Sequence, residues 1–334
     1  MSNVITTAIA RVREPWSDRQ ATVLLGAVAC FVLVLIGAMI IFIVHAAWPS
    51  LSANGLGIFT GGHDVDKQLG SMLVTGQHPP KSAYHLNAWP YVYATILIAG
   101  VAVLGGLVIA VFASVFIVEF APERVRRVLV PTVRLLAAVP SVVFGLIGIL
   151  VLVPFIDHDL LSTKRQESVT HLVQLDGTGV MVSIIVLAIM VTPLMIALTV
   201  EALRAIPHGW KEGAAALGAN RWEAIWGVSV RAARPAIISA AVLAASRALG
   251  EAVMLSMISG SRGWSPNPLD GLTYLFEPLR PLAAAIVENV DGLNAPAVKS
   301  SIYVFATILL FSSLLLSIGS YLARLPLRRQ GVRV

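Results

Sequence analysis

Two opposite charges lie four residues apart in an otherwise apolar run, at Arg247 and Glu251 of the string RALGE. A guanidinium there offers a fixed positive charge and forked donors suited to an oxyanion. The carboxylate can hold it in place and limit how tightly an anion binds, which transit requires because a substrate must leave as well as enter. If residues 236 to 258 form one helix, Arg247 is about 11 residues in, roughly 17 Å deep and near a bilayer midplane. Each charge at that depth costs about 2.5 to 3.5 kcal/mol on insertion scales. A pair at i and i+4 returns only about 0.2 to 0.5 kcal/mol in water, and Arg before Glu is the weaker order. The pair is a net cost to stability. It is read either as a buried ion pair that fixes helix register or as part of a polar transit path.

A second constellation lies in residues 203 to 235, which contain IPHGWKEGAAALGANRWEAIWGVSVRAARP. Pro207 suits a helix start and Gly218 a left-handed helix stop. Asn220, with Glu223 three residues later, has capping-box spacing. The pattern predicts a short helix, a tight turn and a second short helix. Its elbow exposes Ala214, Ala215 and Ala216 beside Glu212, while Trp222, Ile225 and Trp226 supply an apolar face. A connector needs about 2 to 8 residues; this one spends about thirty with capped ends.

Other chemistries find little support. The one cysteine, Cys30, allows no intrachain disulfide and no thiolate cluster. Histidines 63, 78, 85, 158 and 171 fall in polar loops without metal-ligand spacing. No GxxxxGK[ST] string occurs, so ATP hydrolysis of the P-loop kind belongs to another chain. No nucleophile, base and orienting group form a set that would suggest a membrane enzyme.

These residues require a membrane scaffold to position them. The 334 residues are 57% hydrophobic and 13% charged, well above the apolar share of a water-soluble domain. Apolar runs of spanning length occur at about 21 to 47, 92 to 118, 133 to 155, 179 to 202, 236 to 258 and 302 to 323. The first is too long for a signal-peptide core and is read as a retained helix. Pro140, next to Ser141, and Pro193, next to Thr192, fall inside the third and fourth runs, as kinks or gating points. The outer loops 48 to 91 and 259 to 301 are expected to hold short interfacial helices.

Six spans put both termini on one side. The N-terminal segment 1 to 20, the loops 119 to 134 and 203 to 235, and the tail 324 to 334 together hold 16 of the 24 cations; the alternate loops hold seven, and Arg247 is the remaining one. The cation-rich side is expected to be cytoplasmic, and Trp48, Trp89 and Trp264 then fall near the outer interface. Loop cations of this kind explain the net charge of +6 without a nucleic-acid partner. The expected organisation is a cytoplasmic segment, a first helix at 21 to 47, an outer loop, a core of five helices over 92 to 323, and a basic tail.

Glu212, Ala214 and Gly218 resemble the EAA-x-x-x-G signature of ABC importer permeases, with Gly213 in place of the usual Ala and Arg231 where a Pro commonly ends the signature. RALGE followed by AVML resembles the RALGE-T-M-A-V of phosphate-specific ABC transporter permeases, with Ala252 in place of Thr. EFAPERVRR (119 to 127), LLAAVPSVVFGLIG (135 to 148) and LVPF (152 to 155) are similar to the PstC type of that family. The resemblance covers roughly residues 90 to 260. It implies an all-α integral membrane protein of the type I importer kind, moving inorganic phosphate inward by alternating access through the cytoplasmic membrane of a prokaryote. It also implies that the elbow at Glu212, Ala214, Ala215 and Gly218 docks into the ATP-binding subunit. The implied partners are a PstA-like permease, a PstB-like ATPase pair that holds ATP and Mg, and an extracytoplasmic PstS-like phosphate-binding protein. No cofactor is expected in this chain. The same elbow serves importers of sulfate or molybdate, and a channel or secondary transporter that works without ATP also remains open.

Overall fold

The computed structural model describes residues 18–60, 64–161 and 175–328, and among these the chain is helical, with one isolated bridge between Gly260 and Leu279. Residues 1–17 and 329–334, which carry most of the expected N-terminal segment and part of the basic tail, lie outside the described residues, as do His63 and His171. Six helical stretches are long and apolar enough to cross a membrane. Two compact units divide the chain, Met1–Ala46 and Ala47–Val334, with the division falling inside α1 (Asp18–Asn54). In the first unit the apolar side chains of α1, among them Leu25, Phe31 and Val34, face outward, so lipid is their solvent.

In the second unit the centre of the core is the pair α3 (Trp89–Val115), which continues through a π turn at Phe116–Phe120, and α6 (Val180–Arg204). Membrane helices associate closely where small residues let backbones approach. Gly106 of α3 is such a place: a Cβ there would sit 2.7 Å from Thr192 Oγ1 and 2.9 Å from Met195 Cε. Pro193 lies inside α6, which runs on without interruption. The Thr192 hydroxyl donates to the Ala188 carbonyl at 2.6 Å.

Two of the expected spans are broken. The run at 133 to 155 is not one helix: α4 (Glu123–Ala137) ends, Val139 and Pro140 are extended or turning, and α5 starts at Ser141 and reaches Leu160. Pro140 is therefore not a kink within a helix but the residue that opens α5, because its ring cannot follow a helical carbonyl four residues back. After α7 (His208–Ala216), the fifth span starts earlier and stops sooner than expected, as α8 (Arg221–Leu249) followed by a short α9 (Val253–Ile258). α5 and α9 pack together beyond the breaks: a Cβ at Gly145 would meet Met257 Sδ at 3.0 Å and Met254 Cα at 3.3 Å.

The outer loops form a packed layer. α2 (Val65–Leu73), α10 (Leu282–Glu288) and the start of α11 (Pro296–Arg328) bury Leu69, Met72, Leu282, Val298 and Phe305 against Tyr91 of α3. Arg280 fastens this layer. It is bonded to Asp66, to the Tyr91 hydroxyl at 3.0 Å and to the Ser261 carbonyl, and it pairs with Glu288 at 2.8 Å. Gly263 donates to Asp66 Oδ2 at 2.7 Å and has no room for a Cβ beside it.

The tight approach at Gly106 leads to a stability prediction. Gly106→Val should overpack the α3–α6 contact and cost about 1 to 3 kcal/mol. Detergent-solubilised protein unfolded with SDS measures this, and a midpoint equal to wild type would show that the contact has slack.

Candidate substrate path and coupling elbow

The two breaks lie beside one another, and Arg247 joins them. Its Nη1 donates to the carbonyl of Ala137, the last residue of α4, at 3.2 Å. The Ala138 and Val139 amides already answer the Leu135 and Leu136 carbonyls, and the guanidinium answers the next one, that of Ala137. Among the described residues it makes no ion pair and no other hydrogen bond, so the rest of its donor fork is unused by them.

Glu251 does not pair with Arg247. α8 stops at Leu249, and the Gly250 amide turns back to the Arg247 carbonyl at 3.2 Å, so the helical register that would have stacked the two side chains is lost. Glu251 is buried in the gap between α8 and α9, where its Oε1 accepts from the Met254 amide at 3.3 Å. It serves the start of α9 as a cap and forms no ion pair with the arginine. The expected i to i+4 pair is corrected to two separate caps. Ser141, beside Pro140, starts the half-helix that follows the first break, four residues after Ala137. Pro193 is buried in α6, away from either break in sequence.

The elbow has the expected turn. α7 ends at Ala216, Gly218 adopts φ +89°, and Asn220 and Glu223 form a reciprocal capping box with bonds of 2.9 and 2.8 Å. A residue with a Cβ would be strained at Gly218, which explains the glycine. The second short helix is not separate. From Arg221 it runs through a π turn at Ile225–Val230 directly into the fifth span, and neither Gly227 nor Pro235 interrupts it. Ile225 is buried against Val115 and Leu203, Trp226 meets Phe112 edge to face at 5.6 Å, and Trp222 stays exposed. The outward surface of the elbow consists of Glu212, Ala215, Leu217 and Gly218, with Leu217 91% exposed and Ala214 half-buried.

Sequence reasoning missed a third cluster, at Glu119. Its carboxylate accepts from Lys211 Nζ at 2.9 Å and its carbonyl accepts from Arg221. The residues are 92 and 102 positions apart, so no local spacing signals them.

Residues 106–329 match the family described as binding-protein-dependent transport system inner membrane component. The chain belongs to that family. It is a multi-pass protein of the cytoplasmic membrane and a transport subunit. Relatives include the phosphate transport system permease protein PstC 1 of Mycobacterium bovis, 30% identical over 293 residues and 85% of each chain. The probable phosphate transport system permease protein PstC of Methanocaldococcus jannaschii is 31% identical over 289 residues, 85% of this chain and 86% of the relative. The probable ABC transporter permease protein YqgH of Bacillus subtilis is 33% identical over 217 residues, 61% of this chain and 66% of the relative. The fold is that of the inward-facing MetNI methionine ABC transporter chain, at TM-score 0.51 and 18% identity over 74% of this chain and 97% of that one.

The elbow geometry makes a local prediction. Asn220→Ala removes a cap worth about 1 kcal/mol. Amide exchange at Glu223 and its neighbours should accelerate by about fivefold, and unchanged exchange would show that the box does not hold the turn.

Proposed function

We propose that this chain is the permease subunit of an ATP-driven importer that carries inorganic phosphate inward by alternating access. The observation that carries the reading is Arg247, which joins two helix breaks and, among the described residues, makes one hydrogen bond and no ion pair. Broken helices that meet at a site, with polar groups directed into the gap, are the usual way for a membrane transporter to present charge and backbone dipoles to a small ion. A guanidinium with free donors suits the tetrahedral oxygens of phosphate. The names of the relatives from M. bovis and M. jannaschii support phosphate as the anion.

Glu251 has a different role from the one its spacing suggests. As a cap on α9 it fixes the geometry of the gap and keeps a negative charge near the path, so that an anion held by Arg247 is bound weakly enough to depart. Ser141 lies at the same joint and Pro193 in the helix behind it, both on elements whose relative tilt would open and close the path.

The partners we infer are a second, PstA-like permease, a PstB-like ATPase pair and an extracytoplasmic PstS-like phosphate-binding protein. ATP and Mg would be held by the ATPase pair. With both termini cytoplasmic, the elbow surface at Glu212, Ala214, Ala215 and Gly218 faces that pair. ATP-driven closure would push the elbow, and the broken spans would tilt to change the side on which the path is open.

Arg247→Gln should abolish phosphate uptake by the assembled transporter in proteoliposomes, and wild-type uptake in that variant would remove Arg247 from the mechanism. Competition by sulfate or molybdate at concentrations equal to phosphate would point to one of those oxyanions instead. Uptake that persists without an ATPase partner would identify a channel or secondary transporter. Glu212→Ala and Gly218→Val should release the ATPase pair on purification; full retention in both would show that the elbow is not the docking segment.

A further inference from the structure

α7 is held in an unusual way. None of its residues is buried, so apolar packing does not fix it. Among the described residues its single side-chain tether is Lys211, paired at 2.9 Å with Glu119, and the two side chains are only 22% and 11% exposed. On the far side of the elbow turn, Arg221 donates to the carbonyl of the same Glu119, and its guanidinium lies 4.4 Å from the centre of the Phe120 ring. One residue therefore takes a bond from each limb of the elbow, one through its side chain and one through its backbone.

Glu119 sits in the π turn Phe116–Phe120, where the Ala121 amide reaches back to the Phe116 carbonyl at 2.8 Å. Such widened turns insert an extra residue and redirect a side chain, and here the turn closes the helix, with Ala121 extended. The helix that Glu119 terminates is α3, which packs through Gly106 against α6 at the middle of the core. A half-buried ion pair is stiff because water screens it little and neither partner can move away without leaving the other uncompensated.

We propose that Glu119 is the positioning residue through which displacement of the elbow is passed to the second span, and so to the helices that line the path. The inference rests on the reading of the elbow as the segment that docks the ATPase. The pair Glu119–Lys211 carries the motion of α7, while Arg221 and Phe120 keep the turn in register with α3. α8 already meets the second span through apolar packing of Ile225 on Val115 and of Trp226 on Phe112; the Glu119 clasp adds the link from α7, so that the first limb of the elbow also moves with span two.

The test uses the complete transporter in proteoliposomes and reads phosphate taken up per ATP hydrolysed. Glu119→Gln and, separately, Lys211→Met should lower that ratio by about tenfold, the size of an ordinary coupling energy. The exchanged pair Glu119→Lys with Lys211→Glu should recover most of it, which mere loss of folding would not allow. Glu212→Ala and Gly218→Val are run in parallel for ATPase retention. If Glu212→Ala releases the ATPase while Lys211→Met keeps the wild-type ratio, the Glu119 assignment is overturned and the docking reading stands. If Glu212→Ala and Gly218→Val both retain the ATPase fully, the docking reading falls and the Glu119 assignment falls with it.

Discussion

A helix that ends in apolar surroundings leaves carbonyls at one terminus and amides at the other, and lipid can satisfy neither. The second unit of this protein is arranged around that constraint, because two of its spans stop and restart beside each other. Arg247 answers the carbonyl of Ala137 at the end of α4, and Glu251 answers the amide of Met254 at the start of α9. Each charge pays for its own burial by capping a foreign or following helix end rather than by neutralising the other. The consequence is electrostatic asymmetry: the arginine keeps donors to spare, and the carboxylate is committed to backbone.

Much of the scaffold was legible in the sequence because it depends on run length and local spacing. Six apolar runs match six stretches long enough to span, and the Gly218 turn with its Asn220 and Glu223 box could be read from three residues within six positions. The breaks were harder. Pro140 announces a perturbation but not its form, and Gly250 with Ala252 looks like ordinary helix filler in an apolar run. The pairing of Arg247 with Glu251 was misread for that reason, since an i to i+4 argument holds only while the helix continues. Contacts between distant positions, such as Lys211 with Glu119 or Arg280 with Asp66, carry no local signature.

The molecule separates stiffness from mobility along its length. The outer layer is cross-braced by Arg280, which ties α2, α3 and α10 through side chains and backbone at once. The elbow at the other end is exposed and short, and polar bonds rather than packing attach it. Between them, Gly106, Gly145 and Gly148 leave room for side chains of the facing helices, Thr192 and Met195, Met257, and Ile258 and Val186 in turn, so that the spans interlock closely there.

The π turns at Phe116–Phe120, Gly148–Leu152, Ile156–Leu160 and Ile225–Val230 have a further consequence. Each amounts to a phase slip of about 100° in the helical wheel, because one residue is accommodated without advancing the ladder. A wheel drawn through the whole of the third or fifth span would assign its two ends to the wrong directions, even though every residue along it is helical. Loss of the extra residue at Gly148–Leu152 or Ile225–Val230 would restore an ordinary α turn and leave the flanking residues facing as they do.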